Sequence, residues 1–387
     1  MQLSIVIPCL NEHETLASVV AKASQGLAAG GLAGEVIVSD NGSTDGSIEI
    51  ARAGGARVVH ASRRGYGNAL QAGIEAAQGR WIVMGDADDS YDFREIPKFV
   101  APLEAGADLV MGCRLPSGGG TIAPGAMPIT HRLIGNPGFS FLARWWFNYP
   151  GHDVYCGLRA FKKELVEDLK IKSPGMEFAV EMVLKSAVFG KRISEVPITL
   201  HKDGRVNARP HLRTVRDGWR TLRLFLAFSP KSLFLWPAIA LMLFGVLGYA
   251  VSLPGLSIGP ATFDVHTLLI ASLGWLLGLQ MFTFALAAQV GATNQGLQRR
   301  GRADKILDWL PLERVLLVAT MLATAGFLWI GALALFWLSQ DFGRLDYAMT
   351  MRQLIPAVTT AATGAQVFFG VFFLDAMRSW RDYSDRE

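Results

Sequence analysis

Cysteine is nearly absent from this sequence: Cys9, Cys113 and Cys156 lie far apart, odd in number and without metal-ligand spacing. That pattern speaks against a disulfide framework or a zinc site and reads as reduced, mostly buried thiols. Blocks of Lys and Arg interleaved with aromatics are also missing, and a formal net charge of +4 gives no sign of a nucleic-acid partner. The N-terminus, MQLSIVIPCLNE, has no basic n-region, long apolar h-region or small-residue cleavage site. It is expected to form a first strand rather than a signal peptide, which leaves the front domain in the cytosol. No glycine triplet follows that strand, only Pro8-Cys9-Leu10-Asn11-Glu12, and Gly65-Tyr66-Gly67 runs on to Leu70 where a third glycine is needed. Hydride transfer from a dinucleotide is therefore a poor reading. Histidine offers no clear general base, since His60, His131, His152, His201 and His211 are scattered.

What is abundant is oil. The 387 residues are 51% hydrophobic, with a mean hydropathy of +0.29. Most charge precedes residue 225, and beyond it come apolar runs at Ser232–Leu253, His266–Val290, Arg314–Leu338 and Leu354–Met377. At about 1.5 Å per residue, each is long enough to cross a hydrocarbon core of roughly 30 Å. Four such lengths in succession would demand a very large core in a soluble protein, so they are predicted to be transmembrane helices. The 291–311 connection carries Arg299, Arg300, Arg302 and Lys305, and the tail carries Arg378, Arg381 and Arg386. The other two connections carry few cations: none in 254–265, and only Arg344 and Arg352 in 339–353. The positive-inside rule then places the front domain, the middle connection and the C-terminus on the cytoplasmic side. That is the plasma or inner membrane in a prokaryote. Within the spans the polar positions are Gln280, Gln289 and Gln366, with Asp375 near an end. Ion-coupled transporters keep charge at mid-membrane, so transport is the weaker reading. Gly274 and Gly278 have the spacing of closely approaching helices, within the chain or in a homo-oligomer.

Ahead of the first span, HLRTVRDGWRTLRLFLAF (211–228) repeats Leu212, Val215, Trp219, Leu222 and Leu226 beside an arginine stripe of Arg213, Arg216, Arg220 and Arg223. This pattern predicts an amphipathic helix lying in the membrane interface. The expected organisation is a soluble domain over 1–210, the interfacial helix over 211–230, four spans over 231–378 and a tail over 379–387.

Through the first 115 residues, short β-branched runs alternate with helical patterns. The runs are 3–8, 35–40, 57–61, 81–86 and 108–113, and the intervening pattern predicts a mostly parallel α/β sheet covered on both faces. Ligands of such sheets sit outside the carboxyl ends of the strands. At one such end stands GDADDSYDF (85–93), where Asp86, Asp88, Asp89 and Asp92 crowd together. Like charges that close raise one another's pKa and strain the fold, a cost that calls for a reason.

The order VIPCLNE (6–12), SDNGSTDGS (39–47), GDADDSYDF (85–93), MGCR (111–114) and VYCGLRAFKKE (154–164) resembles family 2 glycosyltransferases of the GT-A, Rossmann-like, nucleotide-sugar-binding fold. Within that family it is most similar to polyprenyl-phosphate sugar synthases, including dolichyl-phosphate mannose and glucose synthases. The Gln-x-x-Arg-Trp signature of processive synthases is missing: Arg144-Trp145 is preceded by Phe141. The resemblance implies a metal-dependent hexosyltransferase using Mg²⁺ or Mn²⁺, a nucleotide-sugar donor and a dolichyl or undecaprenyl phosphate acceptor. It implies that Asp88 holds the metal, with Asp86 contributing to the metal or the ribose. Pro8, Asn11 and Glu12 would line base and ribose, Asp40 would meet the nucleobase, and Arg114 and Arg159 would contact phosphates unless they form structural ion pairs. Ser90 stands where relatives often place Gln, leaving the third metal ligand open. Asp89 and Asp92 are equally well turn or cap residues, and Asp45 is expected to cap a helix. Asp153 is expected to orient donor or acceptor. Glu177 is a candidate for the sugar hydroxyls, Glu181 for a surface pair with Lys185. Lys202, Arg205, Arg209 and Arg213 belong to a loop suited to closing over a diphosphate and a lipid phosphate. The competing readings are an enzyme of the same fold that extends a lipid-linked glycan or polysaccharide, and an inactive membrane scaffold or translocator.

Overall fold

The computed structural model describes residues 1–206, 214–229, 231–294, 296–298 and 311–384. The chain divides into two compact units, Met1–Phe225 and Leu226–Glu387. The first is a seven-stranded sheet in the order β3-β2-β1-β4-β7-β5-β8. Its strands are β1 (Leu3–Cys9), β2 (Gly34–Asp40), β3 (Arg57–His60), β4 (Trp81–Met84), β5 (Leu109–Cys113), β7 (Arg159–Lys162) and β8 (Ile193–Pro197). The pair β6 (Thr121–Ile122) and β9 (Thr199–Leu200) forms a small separate ladder. Every residue of β1, β4 and β5 is buried, as continuous apolar runs in a sheet covered on both faces should be.

Helices α1 (Leu16–Ala29), α2 (Ser47–Ala53), α3 (Tyr66–Ala76) and α4 (Pro97–Glu104) connect the parallel strands. Then follow α5 (Asn136–Phe147), α6 (Glu164–Leu169), α7 (Glu177–Val188) and α8 (Thr214–Phe228). The five strands read from the sequence are all present. The exception to the parallel pattern is β7, which runs antiparallel between β4 and β5 and sets Arg159 opposite Met84 and Met111. The described part of the amphipathic segment is helical, as its periodicity predicts. It is not a free-standing piece: Phe225 is buried against Phe139 and Phe147, with ring centroids 5.5 and 5.6 Å away.

Among the described residues of the second unit, four helical segments are long and apolar enough to cross a membrane: Ser232–Ser252, Val265–Asn294, Leu312–Ser339 and Tyr347–Arg378. They contain α9 (Trp236–Ser252), α10 (Val265–Asn294), α11 (Leu312–Ser339) and most of α12 (Tyr347–Ser384). The Gly274/Gly278 stripe is used within the chain. A Cβ on Gly278 would stand 2.8 Å from the Met242 amide nitrogen and 2.9 Å from the Ala238 carbonyl oxygen of α9. Small residues also seat α11 on α12, where a Cβ on Gly326 would meet the Ala361 backbone at 2.3 Å. Close backbone approach of this kind is what holds helices together in lipid. Two side-chain bonds add to it: Tyr249 donates to Thr359 at 2.8 Å and Trp275 to Thr363 at 3.0 Å.

Candidate active site

The carboxyl ends of β1, β2 and β4 bring the acidic segment to a shared rim. Gly85 follows β4 because a Cβ there would lie 2.7 Å from the Phe93 ring. Asp86 then accepts a hydrogen bond from the Tyr66 hydroxyl at 2.7 Å. Its other oxygen fills the space beside Gly157, where a Cβ would stand 2.6 Å away. Asp88 turns the opposite oxygen into its own loop, accepting from the Ser90 amide at 3.1 Å and the Ser90 hydroxyl at 2.6 Å. Its Oδ2 faces the Arg205 guanidinium at 3.5 Å. Ser90 thus orients Asp88 through a tight local turn.

Glu12 completes the cluster from the end of β1. It is 6% exposed and accepts from Arg205 Nη1 at 3.1 Å. Burial pushes its carboxyl up to about 7, against the opposing pull of Arg205, and Asp88, Asp203 and Asp86 add to the rise. Burial likewise raises Asp86 to about 6, helped by the Asp88 charge. The rim is therefore short of positive charge. Among the described residues no three carboxylates, imidazoles or thiols form a ready-made metal cage. The donor set nevertheless fits a hard divalent ion that takes one or two carboxylates and completes its shell on substrate phosphates. Asp88 Oδ2 already attracts a cation, and all donors are oxygens.

The cation loop lies on this rim. The Gly204 amide donates to the Asp88 carbonyl at 2.9 Å, and the His201 amide to the Ser90 carbonyl at 2.9 Å. Arg205 is clamped by Asp203, with Nη2 2.6 Å from Oδ2, and reaches from there to Glu12 and Asp88. Lys202 is exposed. Arg209 and Arg213 lie outside the described residues.

Several expected contacts resolve differently. Arg114 is not free for a phosphate: its guanidinium grips Asp153 at 2.7 and 2.9 Å, and a further nitrogen donates to Tyr91 at 3.2 Å. Asp153 is fully buried and serves this pair rather than a ligand. Arg159 is fully buried too, because β7 runs inside the sheet. It donates to the Ala179 carbonyl at 2.5 Å and to the Cys156 carbonyl, while its Nε has no partner among the described residues. Its charge acts on Asp86 from beneath, favouring the ionised carboxylate. Asp40 is 3% exposed and accepts from the Gly42 and Ser43 amides at 3.1 and 2.9 Å and from the His60 ring at 3.2 Å. It shapes the 41–43 turn rather than presenting an open carboxylate to a base. Asn11, in the left-handed region at φ 57°, accepts from the Thr44 amide at 2.9 Å and ties that loop to the end of β1. Pro8 is buried within β1, opposite Ser39.

Asp89 pairs with Lys22 at 2.7 Å, and Asp92 accepts from the Arg94 amide at the start of a short helical turn. Both are structural. Asp45 accepts from the Ser47 amide at 3.1 Å, which holds the start of α2. Glu177 lies 3.6 Å from Arg220 and so links α7 to α8. The Glu181–Lys185 pair forms at 2.7 Å, but it is buried rather than on the surface. Tyr66, Tyr91, Gly157 and Asp203 were not singled out from the sequence. Tyr66 sits inside the Gly65-Tyr66-Gly67 run, whose glycines have a packing reason: a Cβ on Gly65 or Gly67 would lie 2.3 Å from a backbone oxygen of Pro174 or Ser173.

Residues 4–170 match the profile of glycosyl transferase family 2, and residues 286–378 that of the glycosyltransferase family 2 C-terminal transmembrane region. The chain is 34% identical over 381 residues to the low-salt glycan biosynthesis hexosyltransferase Agl6 of Haloferax volcanii, covering 97% of this chain and 89% of that protein. It is 35% identical over 200 residues to the dolichyl-phosphate hexose transferase of the same organism, covering 51% of this chain and 81% of that one. A solved structure of glucosyl-3-phosphoglycerate synthase from Mycobacterium tuberculosis, in complex with phosphoglyceric acid, is 25% identical with a TM-score of 0.48, over 58% of this chain and 79% of that one.

Proposed function

The chain belongs to glycosyltransferase family 2, and from that premise we propose that it transfers one hexose from UDP-glucose or GDP-mannose to a polyprenyl phosphate, inverting the anomeric centre. The observation that carries this reading is the meeting of Glu12 and Asp88 with Arg205, with Asp86 near enough to raise the Glu12 carboxyl, at the strand ends of a chain that continues into four apolar spans. An acidic rim beneath a cationic loop suits a nucleoside diphosphate, and the spans suit a lipid acceptor. The name of one relative, a dolichyl-phosphate hexose transferase, supports the acceptor class.

A Mg²⁺ or Mn²⁺ ion held by Asp88, with Asp86, would supply Lewis-acid neutralisation of the departing diphosphate. The protein's own groups do the positioning. Tyr66 and Ser90 fix the two aspartates. Pro8, Asn11 and Glu12 line the nucleoside side of the rim. Arg205 leaves Glu12 and Asp88 as donor enters and turns to the phosphates, where a planar guanidinium fork is well matched. Lys202, Arg209 and Arg213 serve the acceptor phosphate.

That phosphate has a second pKa of about 6 and is largely dianionic at neutral pH. Positioning therefore matters more than deprotonation, in keeping with the lack of a histidine base. One lipid phosphate oxygen bonds to the anomeric carbon while the bond from that carbon to the nucleotide's terminal phosphate oxygen breaks. The electron pair leaves with the nucleoside diphosphate, and an α-linked donor gives a β-linked lipid. The positive-inside pattern supports the cytoplasmic face as the site of this chemistry.

A donor screen tests the reading. Membranes holding the full chain, polyprenyl phosphate and each labelled nucleotide-sugar should yield a labelled, mild-acid-labile lipid monophosphate with one donor. Label appearing only in oligosaccharide would favour glycan extension instead, and no labelled lipid with any donor would reject the proposal.

A further inference from the structure

Helix α1 and its N-cap turn one stripe toward the acidic segment: Thr15, Ser18, Lys22 and Gly26, spaced three or four apart. Each meets a different part of 87–93. The Thr15 hydroxyl donates to the Ala87 carbonyl at 2.6 Å. Ser18 donates to Asp89 Oδ2 at 3.1 Å, and Lys22 Nζ to Asp89 Oδ1 at 2.7 Å. Gly26 leaves room for the Phe93 backbone, which a Cβ there would strike. Asp88 thus stands between two residues gripped from the same helix.

Two features set this grip apart from ordinary helix docking. Thr15 occupies the N-cap of α1, where a hydroxyl normally accepts from an amide of the first turn. It makes no such cap bond, and its hydrogen goes to the acidic loop. The second feature is the backbone of Asp89, at φ 61°, a conformation that glycine takes freely and other residues seldom adopt. Aspartate also adds charge to a segment already crowded by Asp86, Asp88 and Asp92. Glycine would avoid both penalties. What aspartate has and glycine lacks is a carboxylate for Lys22 and Ser18 to hold.

The left-handed turn shapes everything around Asp88. On one side of it, the Ser90 amide and hydroxyl reach back to Asp88 Oδ1. On the other, the Asp88 carbonyl accepts from the Gly204 amide, and a Cβ on Gly204 would stand 3.2 Å from the Asp89 Cβ. The cation loop therefore rests on the same turn, and Asp88 Oδ2 is left facing Arg205.

We propose that Lys22, acting through Asp89, is a positioning residue for the Asp88 carboxylate: it clamps a left-handed turn that aims Oδ2 at the divalent ion. The role rests on the reading of Asp88 as the metal's carboxylate. Lys22 and Asp89 act at one remove, without meeting ion or substrate.

Two measurements on the full chain without nucleotide test it: Mn²⁺ binding by electron paramagnetic resonance, and hydrogen exchange of peptides spanning 86–92 in the metal-free protein. The Lys22 and Asp89 side chains are 24% and 20% exposed, so the variants should fold. Lys22→Met should weaken Mn²⁺ binding about fivefold and speed exchange about threefold or more. Charge alone predicts the opposite sign, since removing a cation near the rim favours the arrival of another. Asp89→Ala and Asp89→Gly remove the same charge and differ in the turn. The alanine variant, left-handed without a clamp, should bind Mn²⁺ about tenfold more weakly than the glycine variant. Adding Lys22→Met to Asp89→Gly should change binding no further. Equal Mn²⁺ binding by the alanine and glycine variants, or unchanged or tighter binding by Lys22→Met, would overturn this role alone. A wild-type chain that takes up no Mn²⁺ would overturn the metal reading of Asp88, and the role with it.

Discussion

Replacing Arg205 with alanine should tighten divalent-cation binding while weakening sugar transfer. In the ligand-free structure the guanidinium stands 3.1 Å from Glu12 and 3.5 Å from Asp88, with its third carboxylate, Asp203, at 2.6 Å. A cation reaching Asp88 must break the first two contacts, while the Asp203 pair can travel with the loop. Asp88 is 21% exposed at its side chain, so water screens part of the attraction. At an effective dielectric of about 40–80, a contact near 3.5 Å is worth about 1–2 kcal/mol. Removing the competitor should therefore raise Mn²⁺ affinity by roughly fivefold to thirtyfold. The same change removes a charged donor from the diphosphate, worth about 1.5–3 kcal/mol, so turnover should fall by about tenfold or more. Mn²⁺ binding to the full chain without nucleotide, followed by electron paramagnetic resonance, reads the first effect. Lys202→Ala serves as control, since that exposed lysine makes no ion pair among the described residues. Unchanged or weaker Mn²⁺ binding in the Arg205 variant would refute the picture of a guanidinium standing in for the ion.

Three further outcomes follow from the site. Asp153→Ala leaves the Arg114 guanidinium buried without its bidentate partner and should destabilise the first unit by about 3–5 kcal/mol, whereas Asp153→Leu with Arg114→Met should recover part of that. Hydrogen exchange in β5 and β7 measures both, and a single-variant cost below about 1 kcal/mol would make this an ordinary surface pair. Gly157→Ala pushes a methyl to 2.6 Å from the Asp86 carboxylate, so transfer should fall by about 10²-fold with sheet protection intact; normal turnover would mean that the carboxylate does not need that position. The first unit should also lose stability in acid. Burial raises Asp45, but the Ser47 hydroxyl, the His13 and Ser47 amides and the His13 ring outweigh it and lower the carboxyl from 3.8 to about 2. A lowered native pKa means stability fully present above pH 3.8 and lost as pH falls toward 2. Asp45→Asn should flatten that slope in chemical unfolding, and an unaltered slope would assign the acid sensitivity to other groups.

The first five strands, the acidic rim and the spans are legible in the sequence because each rests on local pattern: apolar runs, spacing and turn chemistry. What stays hidden depends on partners far along the chain. Nothing near Arg159 announces that its strand is reversed and buried between β4 and β5. A guanidinium that motif order offers to a phosphate is thereby spent inside the sheet. Arg114 is captured by Asp153, 39 residues away. Arg205 meets Glu12 across 193 residues, so its position on the acidic rim is a tertiary fact. The exposed apolar stripe of α5 stays hidden for the opposite reason. Its local pattern is plain, but an apolar stripe predicts a face turned inward, and only the fold shows that this one points out.

Manganese-soaked crystals with UDP or GDP would test the central claim most directly. Anomalous scattering should place Mn²⁺ at coordination distance from Asp88, with the diphosphate beside it and Arg205 moved off Glu12. An empty rim, together with transfer activity that survives Asp88→Asn, would contradict the account.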